Sequence, residues 1–563
     1  MTYDLKRVKA PKLKGLPLKA FTALMEGRLT RPLLLPGLLK NSGMNEFRRL
    51  QPSAVPTMYP LINGRSDAPE KDAVAVAHQL ADRAGREDSA QHIQPSIADY
   101  AAAYTRQSVS PVDVAERVIQ AIDASNQLTP PLRGMIKCDH DDVRLQARES
   151  AERISKGNSR SVLEGVPVAI KDELDMLPYT TNVGTRFMGK TAAAEDSAAA
   201  QKLRAAGALM VGKANMYEIG IAPMGNNPIN GFCRNPYDTA HDSGGSSSGC
   251  GSSVGAGIVP LAIGADGGGS IRVPAALCGV TGLKATFGRI SEHGAASLCW
   301  SVGHVGPLGA TAVDTAIGYV LCAGKDPKDR FTLTQPPVQL DQIYNTNLTG
   351  LKLGIYEPWF NDADPEVVAA CESTMQKLEK AGAQRCKVEI KGLEESRLAH
   401  AVTILTEMAT AMNQFYDAHR TDFAHPTRIN LVLAREFTNI DYISAQRIRT
   451  DAIAEWKRVL SKVDAVMTPT TACTAPPLAP GSEHSGESDL YTVTSLMHYI
   501  IPGNFCGNPA ISFPAGYGQN DLPIGMQAIG RHWDEELLLR LAYTAEQSTE
   551  RRRPAVSFDP LNR

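Results

Sequence analysis

The sequence predicts an α/β protein: a single large domain with a mixed β-sheet core covered by helices on both faces, preceded by an N-terminal helical extension. Three observations predict it. Short apolar runs of strand length alternate with longer amphipathic runs from residue 97 onward, as in a sheet wrapped by helices. Glycines concentrate in one stretch, with thirteen between Gly244 and Gly288. The composition, 43% hydrophobic and 21% charged over 563 residues, excludes a disordered or fibrous chain.

The first element is set apart by charge. Residues 1–49 hold eleven cationic and three anionic side chains, a local +8 within a formal total of −2. Leu13, Leu16, Leu18, Phe21, Leu24, Leu29, Leu33 and Leu38 are interleaved with them. Between Arg31 and Lys40 lie only eight uncharged residues, two of them prolines, where a membrane-spanning helix needs roughly 20 apolar ones. Such a segment suits an anionic membrane surface, with contact through residues 10–50. It equally suits two short helices packed on the main domain with solvated lysines. Residues 50–95 read as a connector with one short helix. The expected boundaries are therefore 1–95 for the extension, 96–550 for the main domain and 551–563 for a tail.

Along the main domain, Ser110-Pro111 followed by Val114, Val118 and Ile122 is an N-cap, a proline at the first helical position and one apolar stripe. Val166–Ile170, after Gly165, reads as a buried strand ending at Lys171. Ala198–Ala206 is a helix closed by Gly207, and Leu209–Val211 a strand. Strands are expected at Ile258–Ala265, Leu353–Tyr356, Val463–Thr468 and Ala510–Phe513, and helices at Pro365–Ala381 and Asp534–Glu546.

The ten cysteines contain no CxxC pair and no zinc-type Cys/His spacing, so no metal site is expected. The first residues carry no signal-peptide apolar core. The expectation is a reduced protein, cytoplasmic or peripheral to the inner face of a membrane, with no transmembrane helix. The near-neutral total gives no electrostatic case for nucleic acid.

The stretch Ser243–Gly288 is too ordered in pattern for a flexible linker, because Ile258–Ile263 in its middle needs burial. Three motifs within reach fail on context. Gly245–Gly249 matches the nucleophile elbow with Ser247 at its centre, but turn residues 235–242 precede it rather than a strand. Gly207–Lys213 resembles a nucleotide loop, yet Ala214 replaces its hydroxyl residue. No G-x-G-x-x-G follows a strand. What remains is Ser270 after Asp266-Gly267-Gly268-Gly269, a loop able to aim consecutive N–H groups at one point. Ser246 lies in a second glycine loop and Lys171 at a strand end, and each taken alone has an ordinary structural reading.

Gly165–Asp172 resembles the lysine strand of the amidase signature family. Gly244–Gly249 and Asp266–Ala275 resemble its two serine loops, followed by Cys278–Lys284. Gly212–Met216 and Leu522–Gln527 add to the likeness, which covers roughly residues 95–550. Within the family the chain is most similar to the plant-type fatty acid amide hydrolases, through Val8–Leu16, Asn41–Met44 and the triple-serine and triple-glycine loops. Cys250 departs from the serine usual there.

The resemblance implies a serine hydrolase of lipid-like amides such as N-acylethanolamines. Ser270 would be the nucleophile, Ser246 the bridging acid/base, Lys171 the base, Ser247 an auxiliary hydroxyl, and the amides of Gly267, Gly268, Gly269 and Ser270 the oxyanion hole. No cofactor is implied. The partners implied are a small-molecule amide, a membrane surface and a second copy of the chain in a homodimer.

The chemistry agrees. A serine needs a base to become a nucleophile, and lysine serves only when uncharged, which burial favours. Asp172 beside it would oppose this, but strand alternation sends the two to opposite faces. The alternatives are an aryl or aliphatic amidase with the same residues, the glutaminase component of a tRNA-dependent amidotransferase, and a non-catalytic lipid-binding scaffold.

Overall fold

The computed structural model describes residues 3–6, 8, 12–64, 66, 68–87 and 93–563. Arg7 and Lys9 of the basic segment, and Lys9-Ala10-Pro11 of its motif, lie outside the described residues.

In chain order the strands are β1 (Leu13–Lys14), β2 (Met135–Lys137), β3 (Pro167–Lys171), β4 (Leu209–Ala214), β5 (Leu261–Ala265), β6 (Thr281–Lys284), β7 (Val305–Gly309), β8 (Lys352–Ile355), β9 (Gln384–Lys387), β10 (Ala465–Pro469), β11 (Glu487–Ser488), β12 (Ala510–Tyr517) and β13 (Pro523–Gly530). The main sheet runs β2-β4-β3-β5-β7-β6-β12-β13-β10-β8-β9, while β1 pairs with β11 alone. It is mixed, as expected: β3 lies parallel to both β4 and β5, and β13 antiparallel to β12 and β10.

β3, β4 and β5 are buried at every residue, which is why they read as near-continuous apolar runs. β5 starts at Leu261, later than its apolar run, after Pro260, which has no N–H for a ladder. β12 runs on to Tyr517 through an irregularity between Pro514 and Gly516, so its pattern breaks where the strand does not.

The helix at Pro111–Gln127 begins with a reciprocal cap: Asp113 N–H donates to Ser110 Oγ at 3.2 Å and Ser110 N–H to Asp113 Oδ2 at 3.0 Å. It packs on the helix His140–Ser155, and its buried face joins the main core, which also includes residues of the helices Ala312–Cys322 and Glu535–Glu546 and of β3, β4 and β5. A second core surrounds Trp359, Trp456, Tyr499 and Phe505.

The extension folds as helices α1 (Gly15–Glu26) and α2 (Arg31–Asn41). α1 buries Leu18, Thr22 and Met25, and packs on the helix His425–Ala434. Arg428 Nε donates to Glu26 Oε1 at 2.9 Å, and Arg420 reaches the same carboxylate. The opposite side stays bare: Leu16, Leu29 and Leu33 are 80%, 89% and 80% exposed. No helix among the described residues is long and apolar enough to cross a membrane.

Candidate active site

Lys171 closes β3 where the ladder to β5 stops, with the side chain 1% exposed. Its Nζ lies 2.9 Å from Ser246 Oγ, 3.1 Å from the carbonyl oxygen of Ala265 and 2.6 Å from Glu173 Oε2. Alternation does send Asp172 the other way, to 3.8 Å from Lys213 and 3.7 Å from Lys137. β3 ends at Lys171, and the turn closed by the Leu174 N–H on the Lys171 carbonyl at 3.1 Å brings Glu173 back to the side of Lys171; this carboxylate was missing from the expected site. The signal for it is the i, i+2 spacing of Lys171 and Glu173.

Ser246 sits in the turn before the helix Ser248–Gly255, and the Gly245–Ser246 peptide is cis. Only glycine fits at 245, because a Cβ there would stand 2.0 Å from the Met224 carbonyl oxygen. The Ser246 carbonyl accepts the Tyr217 N–H at 3.1 Å, which seats Ser246 against the 217–220 turn.

Ser247 is fully engaged. Its hydroxyl donates to the Ala265 carbonyl at 3.2 Å and accepts the Ala265 N–H at 3.3 Å, while its own N–H donates to the Ser270 carbonyl at 3.2 Å. It splices the two serine loops together.

Ser270 follows the Asp266–Gly269 loop and is 6% exposed. Among the described residues no hydrogen bond joins its hydroxyl to that of Ser246; the loops meet through Ser247. Gly269 carries φ +104°, a conformation that favours glycine. Its N–H donates to Asp266 Oδ1 at 2.6 Å. That corrects the expectation for Gly269: its amide is occupied by a carboxylate. The amides of Gly267, Gly268 and Ser270 have no acceptor among the described residues.

Asp266 organises this loop. Arg272 grips it in two bonds, Nε to Oδ2 at 3.0 Å and Nη2 to Oδ1 at 3.1 Å, and Asn504 Nδ2 donates at 2.9 Å. Although burial opposes it, the guanidinium and these donors hold the Asp266 carboxyl well below the usual carboxylate range. Arg272 Nη1 in turn donates to Gln527 Oε1 at 2.7 Å, anchoring the loop to β13. On the other side His400 Nε2 lies 2.9 Å from the Gly267 carbonyl oxygen. Burial pushes that imidazole down to about 4, so it is neutral at pH 7 and donates there. The Asp266–Arg272 clamp lies within the Asp266–Ala275 motif, its charges six residues apart, whereas His400 has no local motif.

Ser270 and Gly268 open into a cavity of about 510 Å³. Ile221, Ile404, Leu405, Met408, Ile429 and Leu433 line it from the main domain. Phe21, Leu34 and Leu38 line it from the extension. This is the size and character of a ligand pocket. Among the described residues no cluster of His, Cys, Asp and Glu could hold a metal ion.

Sheet, serine loops and cavity together define an amide-cleaving enzyme. Residues 113–539 match the Amidase family, and the chain belongs to it. It is similar to the fatty acid amide hydrolase of Oryza sativa subsp. indica, 37% identical over 100% of this chain and 96% of that one. A component of the glutamyl-tRNA(Gln) amidotransferase of a Picosynechococcus strain is 32% identical, but over 78% of this chain and 95% of that one. The native peptide amidase of Stenotrophomonas maltophilia superposes with a TM-score of 0.70 at 26% identity, covering 82% of this chain and 98% of that one.

Proposed function

We propose that the protein hydrolyses fatty acid amides, with Ser270 as nucleophile, Ser246 as proton bridge and Lys171 as base. The observation that carries the substrate class is the apolar cavity above Ser270, walled partly by α1 and α2. A short polar amide needs no such wall. The extension also separates this reading from the glutaminase one, since the amidotransferase relative aligns with only 78% of the chain.

The Lys171–Ser246 contact supports this chemistry. In it the Lys171 amine takes the Ser246 proton while Ser246 takes that of Ser270, whose oxygen attacks the amide carbon. Apo hydrogen bonds of this kind commonly close only when substrate is bound. The amides of Gly267, Gly268 and Ser270, which have no acceptor among the described residues, would receive the oxyanion, and each such donor is worth roughly 3–4 kcal/mol in related chemistry. The proton then returns through Ser246 to the leaving nitrogen, and water clears the acyl-enzyme by the same route. The bare leucines of α1 and α2, with Lys14, Lys19, Arg28 and Arg31 among them, would rest on an anionic membrane and bring the cavity to a substrate dissolved there.

The test is hydrolysis of N-acylethanolamines of increasing acyl length, with Ser270→Ala as control. Rates should climb with chain length and vanish in the variant. Faster turnover of short or aryl amides would instead support the general-amidase reading.

A further inference from the structure

We propose that Glu173 is a positioning residue of the proton relay, holding one N–H of the Lys171 amine so that its electron pair faces Ser246. The inference rests on the relay reading of Lys171, Ser246 and Ser270 given above.

Three oxygens surround Lys171 Nζ: Ser246 Oγ at 2.9 Å, Ala265 O at 3.1 Å and Glu173 Oε2 at 2.6 Å. An uncharged amine brings two N–H donors and one electron pair. A carbonyl and a carboxylate can only accept, whereas a hydroxyl can donate. As an ammonium Lys171 donates to all three; in the amine form that the relay requires, one arrangement satisfies all three partners. The two N–H bonds go to Ala265 and Glu173, and the electron pair receives the Ser246 O–H. Without Glu173 an N–H is free to turn toward Ser246, and the pair can point away from the proton it must collect.

The step balances without changing Glu173. The Ser246 O–H bond breaks and a third N–H bond forms on Lys171. Ser246 regains a proton from Ser270 as the Ser270 oxygen bonds to the carbonyl carbon. The resulting ammonium then lies against a carboxylate, which stabilises the positive charge as it appears.

The carboxylate is fixed in place. The Glu173 carbonyl accepts the Ala296 N–H at 2.9 Å, pinning its backbone to the 291–304 segment. The titratable groups that interact with the pair are Glu292 and Cys299 from that segment and Cys250 from the helix Ser248–Gly255, with Glu407 of the helix Leu393–Ala411 beyond them against Glu292 and Cys299. Burial keeps Glu292 up at about 8, Cys250 at about 12, and raises Cys299 and Glu407. None of these four is a cation, so none can take over the contact with Glu173. Asp172 faces Lys213 and Lys137 on the other side.

The experiment is the pH profile of kcat/KM for N-dodecanoylethanolamine in wild-type protein, Glu173→Gln and Glu173→Asp, with thermal melting of each. Glu173→Gln keeps the shape and removes the charge. It should lower kcat at least about tenfold and move the acid limb to lower pH by about one unit or more. Glu173→Asp keeps the charge at longer reach, and its limb should fall between the other two. An ion pair that does not orient the amine would change melting and still move the limb, because a carboxylate at 2.6 Å acts on the amine's charge in either case, but it would leave kcat on the pH plateau unchanged. A plateau kcat in Glu173→Gln equal to wild type overturns the inference; if that variant does not fold, an unchanged plateau kcat in Glu173→Asp does so. Failure of the relay reading is separate: it would appear as amide turnover by Ser270→Ala.

Discussion

At Lys171, three oxygen contacts and near-complete burial converge on a single nitrogen, so its replacement tests more than packing. Lys171→Met fills the same space without a base, and amide turnover at neutral pH should drop at least about a hundredfold with little change in melting temperature. Turnover close to wild type would remove Lys171 from the proposed relay. Asp266 makes the opposite demand on the fold. Asp266→Asn leaves the fully buried Arg272 guanidinium without its countercharge, and unfolding in urea should show a loss of about 3–5 kcal/mol. The residues proposed for catalysis were legible through the family resemblance of their motifs, since each alone has an ordinary structural reading. Glu173, Arg272 and His400 were not singled out: His400 acts through a distant contact, Arg272 sits inside the Asp266–Ala275 motif without a mark of its own, and Glu173 is easily read past in favour of the adjacent Asp172.

Elements were legible in proportion to how one-sided their burial is. β3 and the helix Pro111–Gln127 present clean patterns and stand where the pattern puts them. The long helices Leu393–Ala411 and Asn439–Leu460 bury residues on several sides, which blurs the stripe, and their packing is a tertiary fact. β1 and β11 are two residues each, too short for any periodicity. The extension illustrates the same limit, because its charge and leucines were visible while its role as a cavity wall depends on docking. That docking hangs on Glu26, held by Arg420 and Arg428. Glu26→Ala should loosen α1, raising KM for long-chain amides several-fold while short amides are barely affected. Equal KM changes for both would separate the wall from substrate binding. Sedimentation with anionic liposomes should likewise fall when residues 1–50 are removed, and equal binding with and without them would end the membrane proposal.

At the scale of the whole molecule, buried acids set how stability varies with pH. Burial raises Glu218, Asp314 and Glu292 to about 8 and Asp242 to about 7. Each is uncharged in the folded protein where the unfolded chain would carry a carboxylate. Because the folded values are raised, the stability these groups contribute is whole below the unfolded value near 4.5 and is lost as pH climbs through 7 to 8. The buried imidazoles act oppositely. Burial lowers His400 and His532 to about 4, so their contribution grows as pH rises and is complete above roughly 6.5, the unfolded histidine value. Between about pH 6.5 and 8 the acids are still changing while the imidazoles are not. The buried Lys213, lowered to about 8, and Lys284, lowered further by burial, oppose them in part, and with four acids against two lysines unfolding midpoints should fall across that window. Asp314 gives the sharpest check, since it is buried and its Oδ1 accepts the Ile97 N–H at 2.8 Å. Asp314→Asn keeps the acceptor and abolishes the titration. Its midpoint should decline less steeply than that of wild type from pH 6.5 to 8, and parallel slopes would mean that Asp314 is already ionised in the folded protein.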